Sequence, residues 1–231
     1  LKKNELNFKN INWYATPRRL SLLISDLDTA QKDKENQRRG PSISLAYDNN
    51  KNPTQATIGF AKSCGTEISK LEVLETENGS WLIFDTILKG KKTDAIIPIL
   101  IEECLIRLPI SKRMRWGNND IEFVRPIKWI FILFDKKIIE CKILGIKSCS
   151  SSFGHRFHHP ESIKINSPKD YSRILKEKGK VVVSYDERLS IISSQVSSIA
   201  KKNNGEAIID SELLNEVTSL VEWPVSFIGN F

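Results

Sequence analysis

The stretch from Leu71 to Leu88 reads LEVLETENGSWLIFDTIL, and it predicts a β-hairpin. Two runs rich in apolar and β-branched residues flank Asn78-Gly79, a pair that accepts the positive φ angles of a tight type I′ turn. Because a two-residue turn can join only antiparallel strands, this stretch predicts an antiparallel sheet. The other predicted elements precede and follow this hairpin in the sequence.

Two elements are predicted before this hairpin. The segment LSLLIS at residues 20–25 has the period of two that is typical of a strand with one strongly apolar face, and it is entered through TPRR at residues 16–19. Pro53-Thr54 opens a short helix that carries Ile58 and Phe60 and ends near Gly65.

A longer helix is predicted after the hairpin. Thr93 is expected to cap it, Pro98 is tolerated near its first turn, and it runs to about Arg107. The residues expected to face a core are Ile96, Ile97, Leu100, Cys104 and Leu105. A strand, a Gly117-Asn118 turn and a second strand from Ile127 to Phe134 follow, so residues 71–144 are predicted to be mostly antiparallel sheet with one helix.

The pattern becomes helical toward the C-terminus. Ser167-Pro168 predicts the start of a helix ending at Gly179, VVVS at 181–184 predicts a short buried strand, and helices are predicted over 186–202 and 211–221. The predicted fold class is α+β, a mixed and largely antiparallel sheet with packed helices and a helix-richer C-terminal part. We place a boundary near residue 150, between a mostly β body with one long helix (1–150) and a helix-rich α/β part (151–231).

Composition indicates a folded, soluble chain with a basic surface. Its 231 residues are 40% hydrophobic and 27% charged, and the net charge of +7 favours polyanionic partners, although basic AT-rich proteomes share this bias. The four cysteines form no CxxC pair, which argues against a disulfide framework or zinc ribbon and favours the cytoplasm. Because the chain begins with Leu1 and ends in an apolar run, we expect it to be a piece of a longer protein.

One basic stretch is a candidate nucleic-acid surface. Residues 112–129 read KRMRWGNNDIEFVRPIKW, with five basic residues, three aromatic residues and two acidic residues. Arginine and lysine bind phosphate oxygens and aromatic rings stack on bases. The alternative is a strand-turn-strand whose Trp116, Phe123 and Trp129 lie in the core while the basic side chains are solvated.

Other catalytic or binding motifs are weak. GHRFHHP at 154–160 holds all three histidines, but Gly154 and Pro160 favour a loop over the helical spacing that a metal pair would need, so no metal site is expected. No glycine-rich phosphate loop occurs, which argues against an ATP site. The acidic residues near the end are expected to form a solvated helix face rather than a catalytic pair: Asp210, Glu212, Glu216 and Glu222.

Six segments, taken in order, carry a family resemblance. They are TPRRLSLLI (16–24), NPTQATIGFAKSCG (52–65), LPISKRMRWG (108–117), FVRPIKWI (123–130), GHRFHHP (154–160) and LLNEVTSLVEWPV (213–225). Together they resemble the beta subunit of bacterial two-subunit glycyl-tRNA synthetase along almost the whole chain. The family's EIGTEELP-like opening would precede Leu1, and its HD-like and anticodon-binding portions would follow Phe231.

The resemblance implies a non-catalytic, tRNA-handling part of an enzyme that joins glycine to tRNA-Gly. In that family a separate alpha subunit, in an alpha2beta2 assembly, binds ATP with magnesium and glycine, so no cofactor is expected in this chain. Neither DNA nor a membrane is an expected partner. No residue here is expected to be catalytic.

The resemblance and the basic stretch together nominate contacts with tRNA or with the alpha subunit. The candidates are Arg18, Arg19, Arg113, Arg115, Trp116, Arg125, Lys128, His155 and Arg156. A second hypothesis is architectural, with Arg18, Arg115 and Arg125 in buried ion pairs and Trp116, Trp129 and Trp223 in the core. A third is a hydrolytic editing site that uses Cys149 or His155.

Overall fold

The computed structural model describes residues 1–117 and 120–229, and its elements are mostly short. The strands are β1 (Asn10–Thr16), β2 (Arg19–Ser25), β3 (Lys34–Ser42), β4 (Glu72–Thr76), β5 (Gly79–Leu88), β6 (Met114–Arg115), β7 (Glu122–Phe123), β8 (Ile130–Phe131), β9 (Leu133–Phe134), β10 (Lys137–Ile138), β11 (Lys142–Ile143), β12 (Ile146–Cys149), β13 (Ser152–Phe153) and β14 (Ser162–Ile163). The helices are α1 (Ile43–Ala46), α2 (Gln55–Cys64), α3 (Thr93–Arg107), α4 (Tyr171–Glu177), α5 (Tyr185–Lys202) and α6 (Ser211–Leu220). The predicted α+β class with helices concentrated toward the C-terminus is confirmed.

The chain forms two compact units. The main unit comprises Leu1–Thr29 and Thr93–Phe231, and the inserted unit comprises Ala30–Lys92. The predicted boundary near residue 150 falls inside the main unit and stays a prediction. None of the described helices has the length and apolar content needed to cross a membrane.

The inserted unit is built on the predicted hairpin. Strands β4 and β5 pair antiparallel, and β3 pairs with the other edge of β5, giving the order β3-β5-β4. The register pairs Thr76 with Gly79, so the two loop residues are Glu77 and Asn78, and Gly79, with φ of +125°, begins β5. The hairpin is therefore confirmed, but the predicted turn over Asn78-Gly79 is wrong by one residue, because Gly79 enters the ladder.

The short helix α2 packs within the same unit. Gly65 ends it with φ of +66°, as predicted, and the buried hydroxyl of Thr57 donates to the Ala46 carbonyl at 2.7 Å. The strand β3 approaches α2 closely, since a Cβ on Gly40 would lie 2.5 Å from the ring of Phe60. Only glycine leaves room for that ring.

The main unit begins with the hairpin of β1 and β2, which are joined by Pro17-Arg18. The predicted strand at 20–25 is confirmed, but its apolar face is the exposed one: Leu20 is 57% exposed and Leu22 is 63% exposed. The opposite face packs inward, where the Ser21 hydroxyl lies 2.6 Å from the hydroxyl of Tyr171. The inward face of the hairpin therefore meets α4 through a polar contact, while Tyr14, paired with Ser21, packs against the apolar core.

The core of the main unit lies among short strands and α4. It contains Ile163, Ile165, Leu175, Val181 and Val183. The VVVS segment is buried as predicted but is not a strand, because its amides bond elsewhere: Val181 N donates to Leu175 O at 3.0 Å and Val182 N to Glu222 O at 2.9 Å. These bonds connect the segment to α4 and to Glu222, two residues beyond the end of α6.

The predicted strand from Ile127 to Phe134 is divided. Strand β8 pairs in parallel with β12, whereas β9 pairs antiparallel with β10. The chain changes partners at Ile132, whose carbonyl accepts a hydrogen bond from Ile139 N at 3.0 Å. The basic stretch instead forms the small hairpin of β6 and β7, and Gly117 has the positive φ of +61° expected of a turn, while Asn118 lies outside the described residues.

The predicted helices are confirmed with small changes. Helix α3 spans Thr93–Arg107, but the Thr93 hydroxyl donates to the Asp28 carbonyl at 2.5 Å, and Cys104 is exposed rather than facing a core. In α5 and α6 the N-caps are made by side chains: Ser184 accepts from Glu187 N, and Asp210 accepts from Leu213 N.

Candidate nucleic-acid interface

A pocket of about 240 Å³ on the main unit brings basic and aromatic side chains together. Its lining residues are Arg18, Lys128, Trp129, Phe153, Gly154, Arg156 and Pro160. They come from three separate places in the chain: the loop between β1 and β2, the segment before β8, and the end of β13 with the loop that follows it. Three of the nine predicted contact residues therefore line one concave site.

The loop at 154–160 is held in place by backbone contacts. The His155 amide donates to Gly179 O at 2.7 Å, and the His159 amide donates to His155 O at 3.0 Å. A Cβ on Gly154 would lie 2.4 Å from His159 O, so the loop can close on itself only with glycine there. This closure fixes the base of the pocket next to Arg156.

A buried charge cluster lies behind the pocket. The Glu222 carboxylate accepts from the Thr16 hydroxyl at 2.6 Å and lies 3.5 Å from Arg19 Nη1 and 3.7 Å from Arg18 Nη1. The side chains of Arg19 and Glu222 are each 4% exposed. Burial lowers the pKa of Arg19, and the nearby Glu222 carboxylate partly offsets this effect. Because one carboxylate faces two arginines, the cluster keeps an excess of positive charge.

The structure corrects the prediction for Glu222. It was expected on a solvated helix face, but it lies just past the end of α6 and is 5% exposed. A glutamate between apolar residues, as in VEWP at 221–224, was the available signal. Asp210, Glu212 and Glu216 are exposed, as predicted.

The pocket's aromatic wall is formed by Trp129 and Phe153. Their ring centroids are 5.2 Å apart and the rings are tilted by 59°. The guanidinium carbons of Arg18 and Arg19 lie 5.8 and 5.9 Å from the Trp129 centroid, within the range of cation–π attraction. Trp129 is half-buried, so part of its ring remains available at the pocket.

His155 is held by its neighbours. Its Nδ1 accepts from the amides of Phe157 and His158, each at 3.2 Å, and its ring stacks on that of His158 at 4.4 Å. The pKa of His155 is lowered, first by burial and then by His158, with the Glu222 carboxylate acting in the opposite direction. Across residues 1–117 and 120–229, no three histidine, cysteine or acidic side chains are grouped as a metal would need.

The other predicted contact residues lie elsewhere or are engaged. Arg19 is buried, and its Nη2 donates to the carbonyls of Gly154 at 3.3 Å and Phe153 at 3.4 Å. Arg113 Nη2 donates to the carbonyls of Ile106 at 2.7 Å and Leu108 at 3.0 Å, at the end of α3. Arg19 and Arg113 therefore hold backbone carbonyls in place, whereas Arg18 lines the pocket.

Three more predicted residues lie outside the pocket lining. Arg115 is exposed and bonds to Glu122 on the paired strand at 3.0 Å, Arg125 donates to the Pro17 carbonyl, and Trp116 is half-buried. Arg115 and Arg125 are both exposed, so the architectural hypothesis is wrong in placing them in buried ion pairs. A buried ion pair does exist, but it is formed by Arg19 and Glu222. Arg18, which is partly exposed, also lies close to the Glu222 carboxylate.

The tryptophans of that hypothesis are not fully buried. Trp116, Trp129 and Trp223 are all intermediate in exposure, and Lys180 lies over the ring of Trp223 at 5.2 Å. They therefore lie at the boundary between core and surface, where an indole can pack with one part and contact a ligand with another.

Comparison with known proteins gives a consistent family. A family model described as glycyl-tRNA synthetase beta subunit matches residues 1–231. The glycine–tRNA ligase beta subunit of Hahella chejuensis is 48% identical over 231 residues, covering 100% of this chain and 33% of that protein. The proteins of the same name from Marinobacter nauticus and Coxiella burnetii are 42% and 40% identical over the whole chain. The chain spans about a third of the length of these relatives, and it belongs to the glycyl-tRNA synthetase beta subunit family.

Proposed function

We propose that this chain is a tRNA-binding region of a glycine–tRNA ligase, working beside an alpha subunit that binds ATP with magnesium and carries out the chemistry. In this proposal the region itself is not catalytic, the assembly is alpha2beta2, and the enzyme acts in the cytoplasm on tRNA-Gly. The observation that carries the proposal is the concave site lined by Arg18, Lys128, Arg156 and Trp129.

The charges at this site support an RNA contact. Lys128 and Arg156 are exposed, and the ion pairs found in the described parts of the chain do not include them. Arg18 shares Glu222 with Arg19, so its charge is only partly compensated. Phosphate oxygens are the acceptors that such side chains bind in RNA.

A salt titration of tRNA binding tests the proposal. The full-length subunit assembled with its alpha partner is compared with the double variant Lys128→Ala/Arg156→Ala by filter binding of tRNA-Gly. Each lost phosphate contact should reduce the slope of log affinity against log salt by about 0.7 to 0.9. We expect the variant to bind more weakly and to lose about one to two of these increments.

The matched control removes the same charge elsewhere. Lys201→Ala/Lys202→Ala changes two exposed lysines at the end of α5 and should leave both affinity and slope unchanged. If both double variants bind like the unaltered enzyme, or if both weaken binding equally, the pocket is not a tRNA contact.

A second candidate function is a subunit interface without direct tRNA contact. The outer face of the β1–β2 hairpin favours it, because Trp13 is 63% exposed and is paired across the ladder with the equally exposed Leu22. On this alternative, Trp13→Ser/Leu22→Ser should prevent assembly with the alpha subunit, as measured by sedimentation, while Ile99→Ser on exposed α3 should not. Normal assembly of the first variant would remove this candidate.

The editing hypothesis has less support from the geometry. The Cys149 thiol lies 3.2 Å from the Ile130 carbonyl and 3.0 Å from that of Ser151, and His155 Nδ1 is occupied by two backbone amides. Both groups are thus engaged with the backbone. Release of glycine or alanine from mischarged tRNA by the assembled enzyme, lost on Cys149→Ser, would revive this function.

A further inference from the structure

The size of the pocket limits what it can hold. Its volume of about 240 Å³ is below the range of about 300–1,000 Å³ of sites for drug-sized ligands. A whole cofactor or a stretch of duplex would not enter it. One nucleotide, in which a ribose joins the phosphate to the base, is a ligand of suitable size.

The cationic side of the pocket carries charge that no carboxylate in its lining compensates. The Arg18 side chain is 27% exposed, and its buried Nη1 lies 3.7 Å from the Glu222 carboxylate, which Arg18 shares with Arg19. Lys128 and Arg156 are exposed, and the ion pairs found in the described parts of the chain do not include them. A phosphate among these three side chains would supply acceptors and a negative charge.

The aromatic side of the pocket adds a different requirement. Trp129 lines the pocket and is braced by Phe153, while Phe157, beside Arg156, is 80% exposed. Base stacking on such rings tolerates any base. A base paired inside a duplex is already stacked, so only an unpaired base can use the Trp129 ring.

We propose that this pocket is a subsite for one unpaired nucleotide of RNA, with its phosphate among Arg18, Lys128 and Arg156 and its base against Trp129. The proposal rests on the tRNA-binding function proposed above. It goes further because it assigns the pocket to a single-stranded nucleotide of any sequence, rather than to phosphates of a duplex.

The test uses oligonucleotides that change the ligand and leave the protein intact. The probes are a single-stranded tetrauridylate, the same tetramer with abasic sugars, and a short blunt-ended RNA duplex, each competing with labelled tRNA-Gly for the assembled enzyme. We expect the tetramer to bind about tenfold more tightly than its abasic form, the size expected of one stacked base. Lys128→Ala/Arg156→Ala should weaken binding of both forms, which places them in this pocket.

Variants of Trp129 test whether the base stacks on this ring. In Trp129→Leu the tetramer and its abasic form should bind equally, whereas Trp129→Phe should keep most of the difference, and binding of the duplex should not change in either variant. If the base makes no difference to the unaltered enzyme, or if Trp129→Leu leaves that difference in place, the nucleotide subsite is wrong. The abasic comparison on the unaltered enzyme still decides the matter if Trp129→Leu does not fold.

The outcome can be separated from that of the tRNA-binding proposal. Loss of tRNA affinity in Lys128→Ala/Arg156→Ala without any effect of the base leaves the RNA contact standing and removes only the subsite. Displacement of the tetramer by inorganic phosphate as effectively as by the abasic tetramer would also overturn the subsite, since the pocket would then be a simple anion site.

Discussion

At the residue scale, Glu222 connects the pocket to the rest of the main unit. It contacts Thr16, Arg18 and Arg19 through its side chain, and its carbonyl accepts from Val182 N. Glu222→Gln keeps the shape of the side chain and an acceptor for the Thr16 hydroxyl. It removes the negative charge that the buried Arg19 guanidinium faces. Loss of one member of a buried ion pair costs about 3–5 kcal/mol, so the melting temperature should fall strongly. The exposed Glu212→Gln on α6 is the control and should lie within about 0.5 kcal/mol of the unaltered protein.

His155 gives a prediction for pH. Its folded pKa is lowered by burial, so the unfolded chain binds more protons once the pH falls below its ordinary value of about 6.5. Stability should therefore decrease as the pH falls through that value toward the lower folded pKa. His155→Asn retains an acceptor for the amides of Phe157 and His158 but does not titrate. In thermal melts from about pH 7.5 to about pH 5.5 the variant should lose less stability than the unaltered protein, and equal losses would contradict the prediction.

At the element scale, Arg113 at the end of α3 gives a test that distinguishes a structural arginine from one that would contact RNA. Arg113 donates to the carbonyl of Ile106, in the last turn of α3 where carbonyls lack partners within the helix, and to that of Leu108 just beyond it. Arg113→Ala should destabilise the protein by about 1–2 kcal/mol and leave tRNA affinity and its salt slope unchanged. Lys112→Ala, next to it and exposed, is the control and should change neither stability nor affinity. A salt slope reduced by Arg113→Ala would place that arginine on RNA.

The elements show which parts of the fold a sequence can predict. Local signals were sufficient for the hairpin of β4 and β5, for α2 with its terminal glycine, and for the three helices near the C-terminus. Partner choice was not local: nothing in IFILF at 130–134 shows that the chain leaves β12 and joins β10 at Ile132. The sequence also does not show which polar groups are buried. Arg188 is 1% exposed, and only its position one turn before the buried Ile192 on α5 indicates this.

Arg188 also shows why such groups are hard to foresee. It donates to the carbonyls of Val182, Val183, Thr218 and Ala15, which come from three places in the chain. Burial lowers its pKa, while Glu222 and Tyr185 act in the opposite direction. A charged side chain is stable in the interior only where such acceptors converge, and convergence depends on the tertiary structure.

At the scale of the whole molecule, the candidate site was only partly predictable. Composition identified the basic and aromatic segments, and the pocket contains Arg18, Lys128 and Arg156 from the predicted residues. The buried Arg19–Glu222 pair joins residues about 200 positions apart, and no periodicity reports a contact of that kind. Charge patterns thus predict a polyanionic partner. Which basic residues line the pocket and which are buried behind it depends on the tertiary structure.

The connection between the two units gives the last prediction. The chain leaves the main unit at Thr29 and returns at Thr93, and Thr93 N donates to Thr29 O at 2.9 Å, so the two ends are adjacent. The core residues of the main unit and the whole pocket lining lie outside residues 30–92. Domains inserted at such adjacent points can be removed with little strain. A full-length subunit in which about four glycine and serine residues replace 30–92 should keep a cooperative thermal melt and the tRNA binding that we propose for Lys128 and Arg156. A second subunit in which the same linker replaces 120–182, which contains most of the pocket lining and core, should lose both. Failure of the first replacement to fold would show that the main unit depends on the inserted one.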